Sequence, residues 1–147
     1  MNRLGIMGKL VCAAMIISVV LLAFTGFWAM FRAQALGGYL LMVHCTVAPV
    51  FCFFLAAMAV IWSGKNCFER GDWRQGNRAV TLQKVFFWLM ILAGIPVILS
   101  MVLSMVPLYG TNGQEFLYQL HRYCALFFVL VAIWVSKGIF VRRSDHE

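Results

Sequence analysis

The sequence predicts an all-α integral membrane protein, a four-helix bundle running up-down-up-down with both termini on the cytoplasmic side. Three observations predict it. Of the 147 residues, 63% are hydrophobic and only 12% are charged. A soluble domain uses about twice that charged share to cover its surface, so the apolar excess has to face lipid. Four long stretches are almost free of Asp, Glu, Lys and Arg. The cations gather in segments that alternate with those stretches.

The elements follow in order. Between Lys9 and Arg32 no Asp, Glu, Lys, Arg or His occurs. A bilayer crossing takes about 20 apolar residues, so this stretch supplies a first helix near 10–30. A basic start before an apolar run also describes a cleaved signal peptide. Here the run is longer than a usual signal core and ends in Phe27-Trp28 rather than small residues, which favours a retained helix. The first outer connection, Arg32–Gly38, is very short and ends in Gly37-Gly38. A second helix is expected near 38–62, with His44, Cys45 and Cys52 as its titratable groups. The middle loop, from Ser63 to Arg78, is polar and mixed in charge. Lys84 to Glu115 then gives a third helix near 85–108, followed by a Gly/Asn turn segment over Tyr109–Glu115. The fourth helix, near 116–135, carries His121, Arg122 and Cys124 at its leading edge. Short connections make sequential helices antiparallel neighbours. One four-helix domain is expected over 1–147, with no internal repeat. Cys12, Cys45, Cys52, Cys67 and Cys124 show neither CxxC nor CxxCH spacing and are expected to pack as free thiols.

The net charge of +7 resembles a nucleic-acid signature until it is mapped. Arg3, Lys9, Lys65, Arg70, Arg74, Arg78, Lys84, Lys137, Arg142 and Arg143 fall at the N-terminus, in the middle loop or at the C-terminus. Only Arg32 and Arg122 lie at the other ends of the helices. Ten cations against two is a positive-inside bias, which places those three segments in the cytoplasm and argues for the lipid bilayer, not nucleic acid, as the partner.

Two histidines lie inside expected spans, where an ionisable group is a functional hypothesis by default. His146 is in the polar tail. His44 comes six residues after Gly38, about 9 Å into its helix, and His121 five after Phe116, about 7–8 Å into its own. Both helices start on the outer side, so the imidazoles are expected at similar depth. Two neutral imidazoles facing each other across a bundle suit the axial positions of a haem iron. Gly26 offers a gap for a ring edge. Ser100 and Ser104 form a small-xxx-small face that permits close approach. Pro49 removes a backbone hydrogen bond from the second helix. Arg32 and Arg122 present forks that match propionate carboxylates. The bland readings stand beside these: histidines that only hydrogen-bond between helices, arginines that snorkel, and small residues that only pack. Zinc fits less well, because a structural site takes four protein ligands.

With Phe24-Thr25-Gly26, the run from Gly37 to His44 and Leu120-His121-Arg122-Tyr123 in view, the chain resembles the four-helix b-type cytochromes, membrane subunits that serve bacterial hydrogenases and formate dehydrogenases. The resemblance covers nearly the whole chain. It implies a multi-pass protein of the bacterial inner membrane and an electron-transfer subunit of an oxidoreductase complex. It also implies one bis-His haem b on His44 and His121 in the outer leaflet. Members of the family usually hold a second, inner haem. Lys9-Leu10 and Trp134-Val135 stand where its histidines would be, so that haem is expected to be lost. The implied activity passes electrons between the quinone pool and a periplasmic partner, either a multihaem c-type cytochrome or a metalloenzyme subunit. Polar groups for a bound quinone are Tyr39, Tyr109, Gln114, Glu115 and Gln119, with Glu115 the one outer carboxylate. The competing expectation is a haem-free anchor or assembly subunit. A small transporter is less favoured, because no paired broken helices or inverted repeats occur.

Overall fold

The computed structural model describes residues 3–32, 36–67, 78–106 and 109–144, and every regular element among them is helical. The elements are α1 (Arg3–Phe31), α2 (Gly38–Ser63), a 3-10 turn over Gly64–Asn66, α3 (Arg78–Ser104) and α4 (Thr111–Ser144). Four segments are long and apolar enough to cross a membrane: Ile6–Phe31, Gly38–Asn66, Thr81–Ser104 and Thr111–Val135. The shortest has 24 residues, and at 1.5 Å per residue it reaches about 36 Å, more than the roughly 30 Å of a hydrocarbon core. Large apolar side chains stand exposed along all four, among them Leu10 at 65% and Val60 at 79%. Apolar surface on this scale would drive a soluble chain to aggregate and instead matches a multi-pass membrane protein.

The chain divides into two compact units, Met1–Gly64 and Lys65–Glu147. In the first unit α1 packs on α2. The two run antiparallel: a Cβ at Gly8, near the start of α1, would lie 3.2 Å from the Trp62 ring near the end of α2, and one at Gly26 would lie 3.4 Å from His44. The buried positions described in α1 are Gly8, Met15, Ser18, Thr25 and Ala29, spaced seven, three, seven and four apart as in the a/d seam of a coiled coil. On α2, Phe51 and Leu55 are buried, and His44 lies seven residues before Phe51, on the same seam.

The second unit repeats the plan. α3 packs on α4, and Phe86 stacks on Trp134 with centroids 4.2 Å apart. Met90, Ala93 and Ser100 of α3 are buried, as are Leu117, Phe128 and Val131 of α4. Steps of four and three from Leu117 pass through His121 and Cys124 to Phe128 and Val131, so His121 too is on the buried seam. The 3-10 turn is tied to α3: Trp88 Nε1 donates to the Asn66 carbonyl at 2.9 Å, and Lys84 Nζ to the Cys67 carbonyl at 2.9 Å.

The spans fall where the charge-free stretches put them, but the helices are longer. α1 begins at Arg3 rather than near residue 10, and α3 at Arg78 rather than 85. α3 ends at Ser104, before the expected Leu108, which lies outside the described residues with the loop 68–77 and His146. The largest difference is at α4. The segment read as a Gly/Asn turn becomes helix from Thr111, because the Gly110 carbonyl accepts the Gln114 amide at 3.0 Å and opens the ladder there. Polarity marks the membrane boundary, not the helix boundary. Counted from its helix start His121 is therefore ten residues in, against six for His44. The count of five holds only from the first apolar residue, Phe116.

The first connection ends at Gly37-Gly38, where α2 begins, and the glycine there has a backbone reason. Gly38 takes φ +58°, the left-handed region, at the first position of α2. A side chain there costs about 1–2 kcal/mol. Gly38→Val is expected to lower the unfolding free energy of the detergent-solubilised protein by about that amount, read from a denaturation curve followed by circular dichroism. No change would mean that the turn relaxes to negative φ.

Candidate functional site

Each unit holds one of the two histidines between a pair of helices. In the first, Thr25 of α1 is 3% exposed, and its Oγ1 lies 2.8 Å from His44 Nδ1 of α2. The same hydroxyl sits 2.8 Å from the Leu21 carbonyl and 3.2 Å from that of Leu22. A hydroxyl has one proton, and two oxygens at 2.8 Å without a proton between them would repel. That proton is donated to Leu21, so Thr25 accepts from His44 Nδ1–H. Next to Thr25, Gly26 borders the imidazole: a Cβ there would be 3.4 Å from His44 Cε1 and 4.0 Å from Nδ1. The space beside Gly26 is thus taken by the imidazole of His44.

The second unit uses the same chemistry. Ser100 of α3 is 2% exposed and donates to the Val97 carbonyl at 3.0 Å. His121 Nδ1 of α4 lies 3.1 Å from that carbonyl and 3.2 Å from Ser100 Oγ. A carbonyl oxygen only accepts, so the proton is on Nδ1. In both rings the Nδ1–H tautomer leaves the lone pair on Nε2. This is the form in which a metal-bound histidine typically donates its other ring N–H to a protein acceptor. Each ring, taken by itself, carries the lone pair that a neutral imidazole offers to a metal.

Arg32 and Arg122 are also held alike. Arg32 lies over the Trp28 ring at 4.8 Å and Arg122 over the Tyr118 ring at 5.3 Å. Each aromatic is four residues earlier, one turn away on the same helix face. Each contact is within cation–π range.

The other expected site residues divide. Ser104 bonds to the Met101 carbonyl of its own helix at 2.8 Å. Among the described contacts it serves α3, whereas Ser100 serves His121. Gln119 Nε2 donates to Glu115 Oε1 at 2.8 Å, an i, i+4 pair near the start of α4. Gln114 and Glu115 are helical, not loop residues, and Tyr109 lies two residues before that helix. Tyr39, 88% exposed, is the second residue of α2 in the first unit. Among the described residues no group of three or more His, Cys, Asp or Glu gathers as metal ligands.

Sequence reasoning missed Thr25, Trp28, the Val97 carbonyl and Tyr118. A signal for Thr25 existed, because it lies seven residues after Ser18 on the only polar stripe of α1. The Val97 carbonyl has no signal in residue type. No protein-family model, curated protein or solved structure significantly matches the chain.

Proposed function

We propose that this chain is a one-haem b-type cytochrome of the bacterial inner membrane, passing electrons between the quinone pool and a periplasmic redox partner. The single observation that carries the reading is the pair of histidines, one per helical hairpin, each bonded through Nδ1 to a buried hydroxyl of the neighbouring helix. His44 and His121 would hold the haem through Nε2, and Arg32 and Arg122 would take its propionates. When bound, the haem supplies a one-electron Fe(III)/Fe(II) couple. The four helices form one up-down-up-down domain over 1–147 in this reading. The ten-to-two distribution of cations favours cytoplasmic termini.

The absence of a second haem is supported by what fills the opposite ends of the hairpins. Trp62 closes on Gly8, and Trp134 stacks on Phe86. In each hairpin an aromatic side chain packs at or next to the position, Lys9 or Trp134, where the resembled cytochromes carry an inner histidine. The partner would be a multihaem c-type cytochrome or a metalloenzyme subunit docked on the outer ends of the helices.

For a quinol on the outer side, Glu115 would accept a proton, with Gln119 orienting its carboxylate, and Tyr39, Tyr109 and Gln114 as further polar groups. Glu115→Gln is expected to slow quinol oxidation about tenfold or more while leaving the absorption spectrum intact. Unchanged turnover would remove Glu115 from the mechanism.

One observation favours a second reading. The bonds from His44 to Thr25 and from His121 to Ser100 also join helices, as they would in a haem-free anchor or assembly subunit. The reduced-minus-oxidised spectrum of the purified protein, with haem quantified per chain, decides. About one low-spin b haem per chain supports the cytochrome. A well-folded protein without haem supports the anchor.

A further inference from the structure

We propose that Thr25 and Ser100 are positioning residues that lock His44 and His121 in the Nδ1–H tautomer and thereby set both the aim and the donor strength of Nε2. The proposal rests on the haem reading above for its purpose, but the tautomer itself is a property of the protein alone. A free neutral imidazole favours the proton on Nε2. At His121 that tautomer would leave a bare Nδ1 lone pair 3.1 Å from the Val97 carbonyl oxygen, acceptor against acceptor. At His44 it would set the same lone pair 2.8 Å from a Thr25 oxygen whose proton is already given to Leu21. Both hydroxyls are buried, at 3% and 2% exposure, so water has little access to take their place.

The lock also tunes the ligand. An acceptor on Nδ1–H pushes electron density into the ring and makes Nε2 a stronger donor, which favours ferric over ferrous iron. The two rings differ in how much of this a side chain controls. Removing the Ser100 hydroxyl leaves His121 its main-chain acceptor at Val97, whereas the Thr25 acceptor is lost outright with its hydroxyl.

The test has two arms. In haem-free protein carrying 15N-labelled histidine, ring 15N shifts at alkaline pH are expected to show Nδ1 protonated and Nε2 bare at both His44 and His121. Thr25→Val moves His44 toward the Nε2–H form, and Thr25→Ser restores the native tautomer, separating the hydroxyl from packing at the site. In haem-loaded protein, Thr25→Val raises the midpoint potential and weakens haem retention about tenfold. Ser100→Ala shifts the potential in the same direction by less, and Thr25→Ser returns it to the native value. Nε2–H rings in the native chain, or a Thr25→Val variant with native tautomer and potential, would overturn the proposal. Nδ1–H rings in a chain that takes up no haem would overturn the haem reading while supporting Thr25 and Ser100 as the residues that set the tautomer.

Discussion

Alanine in place of either His44 or His121 is expected to erase the low-spin b-type spectrum, because each removes one of two axial donors and six-coordinate low-spin iron needs both. Loss of a group that merely orients a ligand typically costs about 10–100-fold in metal affinity, so loss of the ligand itself should exceed that. Neither change should unfold the chain. His44 sits on a seam whose other members, Phe51 and Leu55, stay buried, as do Met15 and Ala29 of α1. His121 is likewise flanked by Leu117 and Phe128. The measurement is the pyridine haemochrome content per chain beside the circular dichroism of each variant. A native spectrum in either variant would show that the histidine is only an interhelical hydrogen-bonding group. Loss of haem in one variant but not the other would leave the iron with a different second ligand, and Met would be the first candidate to replace.

Gly26→Leu is expected to give the next largest effect, and the step from alanine to leucine makes the argument. An added Cβ meets His44 Cε1 at 3.4 Å, an ordinary contact, so Gly26→Ala should retain haem close to the native level. The branched remainder of leucine has to enter the space of the imidazole or of its bond to Thr25. Overpacking of this kind costs about 1–3 kcal/mol, which corresponds to roughly 5- to 150-fold in haem retention if it falls on the ring. His121 lies in the other unit and keeps its bonds to Val97 and Ser100. The expected product is therefore a chain with weakened haem and native helix content. Equal haem retention in Gly26→Leu would mean that the side chain turns away from His44. Loss of helix content together with haem would mean that Gly26 serves the α1–α2 crossing instead.

The two hairpins share one arrangement of side chains. In each, a histidine on the second helix meets a hydroxyl on the first, and an arginine lies over an aromatic four residues earlier. No sequence repeat announces this likeness, since the paired residues differ: Thr25 and Ser100, Trp28 and Tyr118. What recurs is function at the level of atoms, a buried oxygen for Nδ1–H and a flat ring for a guanidinium.

The spans, by contrast, were plain from residue type. Lipid tolerates charge so poorly that Lys9, Arg32, Lys84 and Glu115 bracket the apolar stretches without any geometry. The histidines stood out for the same reason, as rare polar groups inside those stretches. Helix ends were not legible. Backbone hydrogen bonding continues beyond the apolar boundary, as at Thr111–Glu115, where polar residues that suit a turn also suit the first turns of a helix in the headgroup layer. Ser104 and Ser100 were read together as one small-residue face, and only the structure separates them, one bonded within α3 and the other against His121.

The sequence by itself determined that the chain has four apolar helices long enough to cross a membrane, where each span falls, and that two histidines lie inside them, because transfer of charge into hydrocarbon is costly enough to be written in composition. Which face of each helix is buried was left to the tertiary structure. A helix apolar all round shows almost no periodic contrast between a lipid-facing and a protein-facing side. The packing of α1 on α2 and of α3 on α4 chose those faces, and with them it chose Thr25, Ser100 and the Val97 carbonyl as the atoms that hold the two imidazoles.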